Sequence, residues 1–148
     1  MASPDPVRWL SGALLPEREL DAELAREVVP RFVAGQLDSA VRDAFRRVEV
    51  RVREKSGLGD GPTAVPLMHD AFCVDPKKPG VLVRGRSRAA AELEGERDLF
   101  VGAMKRFRNP NTHGDLGLDD PVEAVELILF ANLLLRLLKR VLAEQGRS

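Results

Sequence analysis

The sequence is short of the residues that build metal centres and disulfides. It holds one cysteine, Cys73, and two histidines among 148 residues. A single cysteine cannot form an intrachain disulfide, and without neighbouring soft ligands it cannot anchor a zinc knuckle. The chain also lacks a histidine pair, a carboxylate cluster with the spacing of a magnesium site, and a glycine-rich phosphate loop. We therefore expect no metal and no cofactor, and any chemistry should be metal-independent.

Net charge and long apolar runs are lacking as well. Lys plus Arg and Asp plus Glu each number 23, so no overall field draws the chain to nucleic acid or anionic lipid, and phosphate binding must be local. The most apolar run, from Leu127 to Leu135, is interrupted by Asn132 and is less than half of the roughly 20 residues that a membrane span needs. The first residues contain no basic region followed by an apolar core, so we expect no secretory signal, no membrane partner and a cytoplasmic location.

The spacing of apolar residues predicts an all-α fold. Apolar side chains recur every three or four residues in several stretches, which is the pattern of helices packed on one side against a core. The predicted elements are four main helices and one short helix, over residues 18–34, 37–56, 88–108 and 120–144, and over 63–72. The expected core draws on the last three main helices: Val41, Phe45, Val48, Leu99, Ala103, Phe107, Leu127, Phe130 and Leu134.

Three stretches carry weaker patterns. Residues 1–17 contain several prolines with little periodicity, and we interpret them as a flexible arm before a helical domain over 18–148. Two short apolar runs flank a Pro- and Gly-containing turn, which predicts a small β-hairpin near 72–85. The middle of the last helix, from Leu127 to Leu135, is apolar on nearly all sides. It must therefore lie centrally in the bundle or present a second face to another subunit.

Several charged and titratable residues have two interpretations. A basic loop without intervening acids could be a track for RNA phosphates, to which Lys105 would add, or simply a solvated loop; its members are Lys77, Lys78, Arg84, Arg86 and Arg88. Glu49 lies one turn before Arg53 and can pair with it. We interpret Glu49 as a surface charge, the alternative being a role in an active site. His69 is expected to be structural or exposed.

The stretch that carries most chemistry is the end of the third main helix. Pro110 has no N–H to continue a helix and restricts the residue before it, so the helix should stop near Arg108. His113 follows five positions later, after an Asn-Pro-Asn-Thr turn that can fold back. The sequence therefore predicts an imidazole within reach of a guanidinium at a solvent-facing helix end.

This pattern resembles two related groups of proteins. An Arg followed at this spacing by a His, at a helix end in a small helical protein, resembles the signature of the HEPN superfamily. A longer pattern is similar to the bacterial Ymh, or abortive-infection-like, family over roughly residues 20–142. Its clearest parts are Leu99-Phe100-x-Gly102-Ala103-Met104, Arg108-Asn109-Pro110-x-x-His113 and Asp120-Pro121-x-Glu123-Ala124. The resemblance implies a HEPN-like helical bundle acting as a metal-independent RNase, in a toxin, abortive-infection or phage-defence system, with an antitoxin or regulatory partner.

The residue chemistry agrees with that function. Arg108 can hold two oxygens of the scissile phosphate and stabilise charge that develops on it, and His113 can transfer a proton near neutral pH. Asn109 would orient the phosphate or the turn. One histidine cannot easily act as both base and acid in a single step, so we expect a homodimer whose turns face one cleft. The alternative is a non-catalytic module that binds RNA, a nucleotide or a protein, in which Arg108 caps its own helix.

Overall fold

Five α-helices and two short turns make up the fold, which a computed structural model describes for residues 15–108 and 116–148. In chain order these are a 3₁₀ turn Glu17–Glu19, α1 Ala22–Val33, α2 Leu37–Ser56, α3 Ala64–Ala71, α4 Ala90–Ala103, a π-helical turn Met104–Arg108 and α5 Pro121–Glu144. None of the described residues forms a β-strand. The prediction of an all-α fold is confirmed.

Local sequence signals explain where the helices begin and end. The Asp21 carboxylate accepts the backbone N–H of Leu24 at 3.2 Å, so α1 starts after Asp21 and the segment before it forms a separate 3₁₀ turn. Pro30 lies in the last turn of α1 without ending it, and Gly35 then takes a left-handed φ of 80°. At the other end of the chain, the Asp120 side chain accepts the N–H of Val122 at 2.9 Å and starts α5.

α2 is the central helix, and α5 runs beside it in the same direction. Leu118, just before α5, donates its backbone N–H to the Asp38 carboxylate near the start of α2, at 2.9 Å. At the opposite end, the Arg147 guanidinium donates to the Lys55 carbonyl oxygen. α1, α3 and the π-helical turn pack around α2 as well, so α2 contacts the turn that carries Arg108.

Most of the predicted core is correct, with one error. Val41, Phe45, Val48, Ala103 and Leu134 are buried, whereas Phe107, Leu127 and Phe130 are partly buried against the core. Leu99 was predicted to be buried and is 47% exposed. α4 turns the neighbouring position inward instead, because Phe100 stacks on Phe72 with ring centroids 4.5 Å apart.

The hairpin predicted near 72–85 is wrong, because this stretch forms turns. Pro76 and Pro79 have no N–H to donate to a strand ladder. The chain folds back against the end of α3, where the N–H of Gly80 bonds to the Cys73 carbonyl oxygen at 2.9 Å. A Cβ at Gly80 would meet the carbonyl oxygen of Ala71, so only glycine fits this close approach.

α5 has one broad buried face and one exposed apolar line. Ile128 and Leu134 are fully buried, while Val122, Leu129 and Leu133 are 43%, 36% and 45% exposed. The helix therefore lies against the bundle on one side and has a second apolar face that none of the described residues covers. Within the described residues, no helix combines the length and apolar character needed to cross a membrane.

Candidate functional site

The described part of the predicted site centres on Arg108. Asn109 and His113, the other two predicted catalytic residues, lie outside the described residues. Arg108 is the last residue of the π-helical turn that follows α4. π-helical turns are rare and are found frequently at functional sites. The chain adopts this geometry just where the predicted motif begins.

Aromatic packing holds the π-helical turn against α2. The Phe107 ring stacks on Phe45, with centroids 4.8 Å apart and ring planes 23° apart. Phe45 also meets Phe130 of α5, at 5.9 Å between centroids. The guanidinium carbon of Arg106 lies 5.2 Å from the Phe107 ring centroid, within the range of a cation–π contact. Arg108 thus follows a well-anchored residue rather than a loose chain end.

Glu49 of α2 is the residue that Arg108 meets. The Arg108 Nε atom lies 3.0 Å from Glu49 Oε2. Arg53 donates to Glu49 Oε1 at 2.9 Å, as the spacing of the two residues predicted. The interpretation of Glu49 as a solvated surface charge is wrong, because Glu49 is only 4% exposed. A buried carboxylate almost always has cationic or hydrogen-bonding partners, and this one joins α2 to the π-helical turn.

A third partner of Glu49 is the start of α3. The backbone N–H of Ala64 donates to Glu49 Oε1 at 3.2 Å. The Thr63 side chain makes no capping bond, so a carboxylate from another helix caps α3 instead. Ala64 has a φ of 42° and is the only non-glycine residue with a positive φ in the described segments. Such a conformation is strained, and the bond to Glu49 helps to maintain it.

The contact between Arg108 and Glu49 leaves most of the guanidinium unused. Arg108 Nε and Glu49 Oε2 are at ion-pair distance without the alignment of a hydrogen bond. The two terminal nitrogens of Arg108 have no hydrogen-bond partner within 15–108 and 116–148, and its side chain is 28% exposed. One edge of the guanidinium is thus held in place, and its terminal nitrogens meet no acceptor among the described residues.

The described residues on both sides of 109–115 are held to one face of α2. Arg108 reaches Glu49, and the backbone N–H groups of Gly117 and Leu118 reach the Asp38 carboxylate at 3.3 and 2.9 Å. Asp38 and Glu49 differ by only about 20° around α2 at 100° per residue. The described residues that flank 109–115 therefore contact α2 along one line.

Of the six predicted phosphate-binding residues, five lie outside the element that carries Arg108. Arg88 and Arg108 flank opposite ends of α4 and the π-helical turn, which at about 1.5 Å per residue separates them by roughly 25 Å along the axis. Lys105 is exposed within the π-helical turn, and it alone of the six shares an element with Arg108. Lys77 and Lys78 are exposed in the loop after α3.

The arginines of that loop donate hydrogen bonds to carboxylates and backbone oxygens. Arg86 donates to both oxygens of Glu96 at 2.9 Å and to Glu144 at 2.8 Å, and its side chain is buried. Arg88 also donates to Glu144, and Arg84 donates to the Pro79 carbonyl oxygen. The hydrogen bonds from Arg88 and Arg86 hold the pKa of Glu144 at about 2. These guanidiniums are engaged within the fold.

The two remaining candidate residues stand alone. His69 is exposed on α3, as one of its two interpretations expected, and Cys73 is half-buried. Nowhere in the described segments do three His, Cys, Asp or Glu side chains gather as a metal ion would require.

The comparison with known families agrees with the pattern in the sequence. A family model described as "Protein of unknown function (Hypoth_ymh)" matches residues 18–138. Because that match covers most of the chain, the chain belongs to the Hypoth_ymh family. The predicted resemblance to the Ymh family is confirmed, and the wider HEPN resemblance stays a prediction. No curated protein and no solved structure matches the chain.

Proposed function

We propose that this member of the Hypoth_ymh family is a metal-independent endoribonuclease with a HEPN-like bundle, in which Arg108 binds the scissile phosphate. One observation carries the proposal. The buried Glu49 holds the Nε edge of Arg108, while the terminal nitrogens of that arginine have no partner in the described segments. A positioned guanidinium whose terminal nitrogens have no partner among the described residues matches the two non-bridging oxygens of a phosphodiester.

The reaction that suits these groups is attack by a ribose 2′-hydroxyl on the adjacent phosphate. A neutral His113 takes the 2′-hydroxyl proton, the 2′-oxygen bonds to phosphorus, and the bond to the 5′-oxygen breaks. The leaving oxygen takes up a proton, which yields a 2′,3′-cyclic phosphate and a 5′-hydroxyl end. Arg108 stabilises the charge on the non-bridging oxygens, and Asn109 orients the phosphate.

Glu49 acts in this scheme as a positioning residue. Its carboxylate lies between two guanidiniums, those of Arg53 and Arg108, so the cluster keeps a positive charge for an anionic substrate. Its bond to the Ala64 N–H ties that geometry to α3. A lysine at position 108 would lack the fork that binds two oxygens, and an arginine without the Glu49 contact would not be held in position to use it.

We propose further that the enzyme works as a homodimer with both Arg108–His113 turns at one cleft. A second histidine, supplied by a two-fold axis, would provide the acid while the first acts as the base. In a dilution series, specific activity should fall as dimers dissociate. An undiminished activity in a stable monomer would contradict a shared site. The HEPN resemblance also implies a role as a toxin or defence effector under the control of an antitoxin or regulatory protein.

The second candidate function is a non-catalytic binding module. It is favoured by the same ion pair, because Glu49 joins three segments and would stabilise the fold even in a protein without activity. In that case Arg108 would serve the bundle and bind no scissile phosphate.

The deciding experiment is incubation of purified protein with tRNA and total RNA in EDTA. We expect wild type to leave 2′,3′-cyclic phosphate ends, and Arg108→Lys to be strongly impaired. Arg26→Lys, at an exposed arginine of α1 outside the site, is the matched control and should cleave like wild type. Cleavage that appears only after Mg²⁺ is added would contradict the metal-independent mechanism. RNA binding without cleavage would favour the module.

A further inference from the structure

The outward side of α5 carries six exposed residues at heptad spacing. They follow one another at alternating intervals of four and three positions, and we call them the α5 stripe: Val122, Glu126, Leu129, Leu133, Arg136 and Arg140. This alternation is the pattern of a helix that packs along another helix. Val122, Leu129 and Leu133 line up along this side, and a contiguous exposed apolar line of this kind is typical of an interaction surface.

The charged residues of the α5 stripe also lack a partner in the described segments. Glu126, Arg136 and Arg140 make no hydrogen bond or ion pair with any residue of the described segments. Elsewhere in the fold, arginines such as Arg86 and Arg51 are paired with carboxylates. The α5 stripe thus combines exposed apolar side chains with charges of both signs that have no partner in the described segments.

The order of residues in the α5 stripe is self-complementary about Ala131. In an antiparallel pair of α5 helices that cross at Ala131, Leu129 of one copy lies opposite Leu133 of the other. Glu126 lies opposite Arg136 in the same arrangement, and this happens twice because the pair is symmetric. Each contact joins groups that attract or pack together.

The parallel arrangement has the opposite character. Each residue would then face its own copy, so Glu126 would meet Glu126, and Arg136 and Arg140 would each meet a second arginine. Like charges placed together at an interface repel each other, which disfavours the parallel orientation. Charge alone therefore selects the antiparallel pairing.

We propose that a second copy of this chain docks on the α5 stripe in antiparallel orientation, about a two-fold axis at the level of Ala131. The leucines form the centre of the interface, and the two Glu126–Arg136 pairs flank it. At the ends, Val122 packs against the aliphatic stem of Arg140 from the other copy.

This orientation has a consequence for the proposed active site. Phe130, next to Ala131, lies on the flank of α5 that meets Phe45 and, through it, Phe107 of the π-helical turn. A two-fold axis across antiparallel helices keeps the same flank of both helices on one side of the pair. The two Arg108 segments therefore lie on the same side of the dimer, as a shared cleft requires. This step alone depends on the proposed function.

Charge reversal tests the interface. Glu126→Arg and Arg136→Glu should each raise the dimer dissociation constant about tenfold or more, because each creates two like-charge pairs. An equal mixture of the two variants should associate again, because every pair across the interface then joins opposite charges. Sedimentation velocity over a dilution series measures both effects. Glu94→Arg, at an exposed glutamate of α4, is the control and should associate like wild type.

Cysteine pairing tests the orientation in a Cys73→Ser background. Leu129→Cys and Leu133→Cys chains should form a disulfide with each other when mixed and oxidised, because antiparallel packing brings these positions face to face. Disulfides within each single-variant protein, and none between the two, would show a parallel pair and overturn the proposal. A wild type that stays monomeric above about 100 μM would overturn it too.

The cleavage assay separates this inference from the proposed function. If association follows the charge rules and none of the proteins cleaves RNA, the interface stands and the nuclease proposal fails. If cleavage in EDTA is present and association ignores the α5 stripe, the nuclease stands and this interface is wrong. If the single charge variants lose cleavage and their mixture regains it, the active site is shared across the α5 stripe.

Discussion

Two arginine–glutamate clusters in this protein use the same chemistry to different ends. In the first, Arg86 is buried and donates to Glu96 and Glu144, while Arg88 donates to Glu144 as well. In the second, Glu49 is the buried group, and the Arg108 Nε atom lies 3.0 Å from its Oε2 atom. In the first cluster every nitrogen of the central Arg86 donates a hydrogen bond. In the second, the terminal nitrogens of Arg108 have no partner among the described residues.

The difference lies in which sign of charge occupies the centre. A buried guanidinium surrounded by carboxylates holds loop and helices together but offers no donor to a ligand. A buried carboxylate between two guanidiniums holds them in place and leaves the cluster positive. Ion pairing alone therefore does not identify a functional site. What distinguishes the two clusters is the number of guanidinium donors that have no partner among the described residues.

The largest expected effect concerns the residue that completes the second cluster in our proposal. His113→Ala should lower RNA cleavage by about 10²-fold or more, because it removes the group that transfers protons. His69→Ala is the control at the other histidine and should be near neutral. Initial rates on a short RNA with one cleavage site measure both. Inactivation by His69→Ala with full activity in His113→Ala would place the site elsewhere.

Matched Arg→Lys changes should separate the two clusters. Arg108→Lys should lower cleavage about tenfold or more with little change in Tm, because lysine keeps the charge but loses the fork. Arg86→Lys should keep cleavage per folded molecule and lower the free energy of unfolding by about 1–2 kcal/mol, since several charge-assisted hydrogen bonds are lost. At this chain length that is roughly 3–8 °C in Tm. Equal effects of the two variants on cleavage would contradict the assignment of Arg108 to activity and of Arg86 to stability.

Glu49→Gln should affect both activity and stability. The amide oxygen can still accept the N–H of Ala64, but the charge that holds Arg108 is gone. We expect cleavage to fall several-fold and stability to fall by about 1–2 kcal/mol. Because Glu49 acts through Arg108, the loss of activity should largely vanish in an Arg108→Lys background. Glu54→Gln, an exposed neighbour on α2, is the control. Additive losses in the double variant would argue against a positioning role.

The smallest expected effect is a dependence of stability on pH in the first cluster. The arginines lower the pKa of Glu144 from 4.5 to about 2, so its contribution to stability is full above pH 4.5 and is lost as the pH falls from 4.5 towards 2. The Tm of wild type should exceed that of Glu144→Gln at neutral pH, and the gap should narrow on acidification. Glu94→Gln should show no such convergence. A constant gap would mean that the Glu144 charge does not stabilise the fold.

Helix positions were predictable because their signals are local. The predicted bounds of α2 match the structure, since its apolar periodicity ends at Gly57, which has the left-handed φ that ends helices. The hairpin near 72–85 was predicted from two apolar runs around a turn. Those runs pack instead on the end of α3, where Gly80 fits closely. Apolar residues record that a segment is buried but not which partner buries it.

The partner of Arg108 was beyond prediction from spacing. Glu49 lies at the edge of the apolar stripe of α2, one turn after Phe45, and that edge position was the available signal of its burial. Edge positions are exposed in some folds and covered in others, depending on what packs beside the helix. Here Phe107 stacks on Phe45 and brings the next residue, Arg108, over Glu49.

By itself the sequence predicted five helices, the bounds of α2 and the family to which the chain belongs, because periodicity, capping residues and motifs act over a few neighbouring positions. The predicted start of α1 at residue 18 was wrong, because residues 17–19 form a separate 3₁₀ turn and α1 begins at Ala22. Only the tertiary structure decided which guanidinium donors meet an acceptor among the described residues. Arg86 and Arg108 are alike in sequence, each beside other cations, yet one meets two carboxylates and the other a single shared one. That outcome depends on how distant helices pack, because an ion pair needs two groups within a few ångströms of each other and local sequence does not encode that distance.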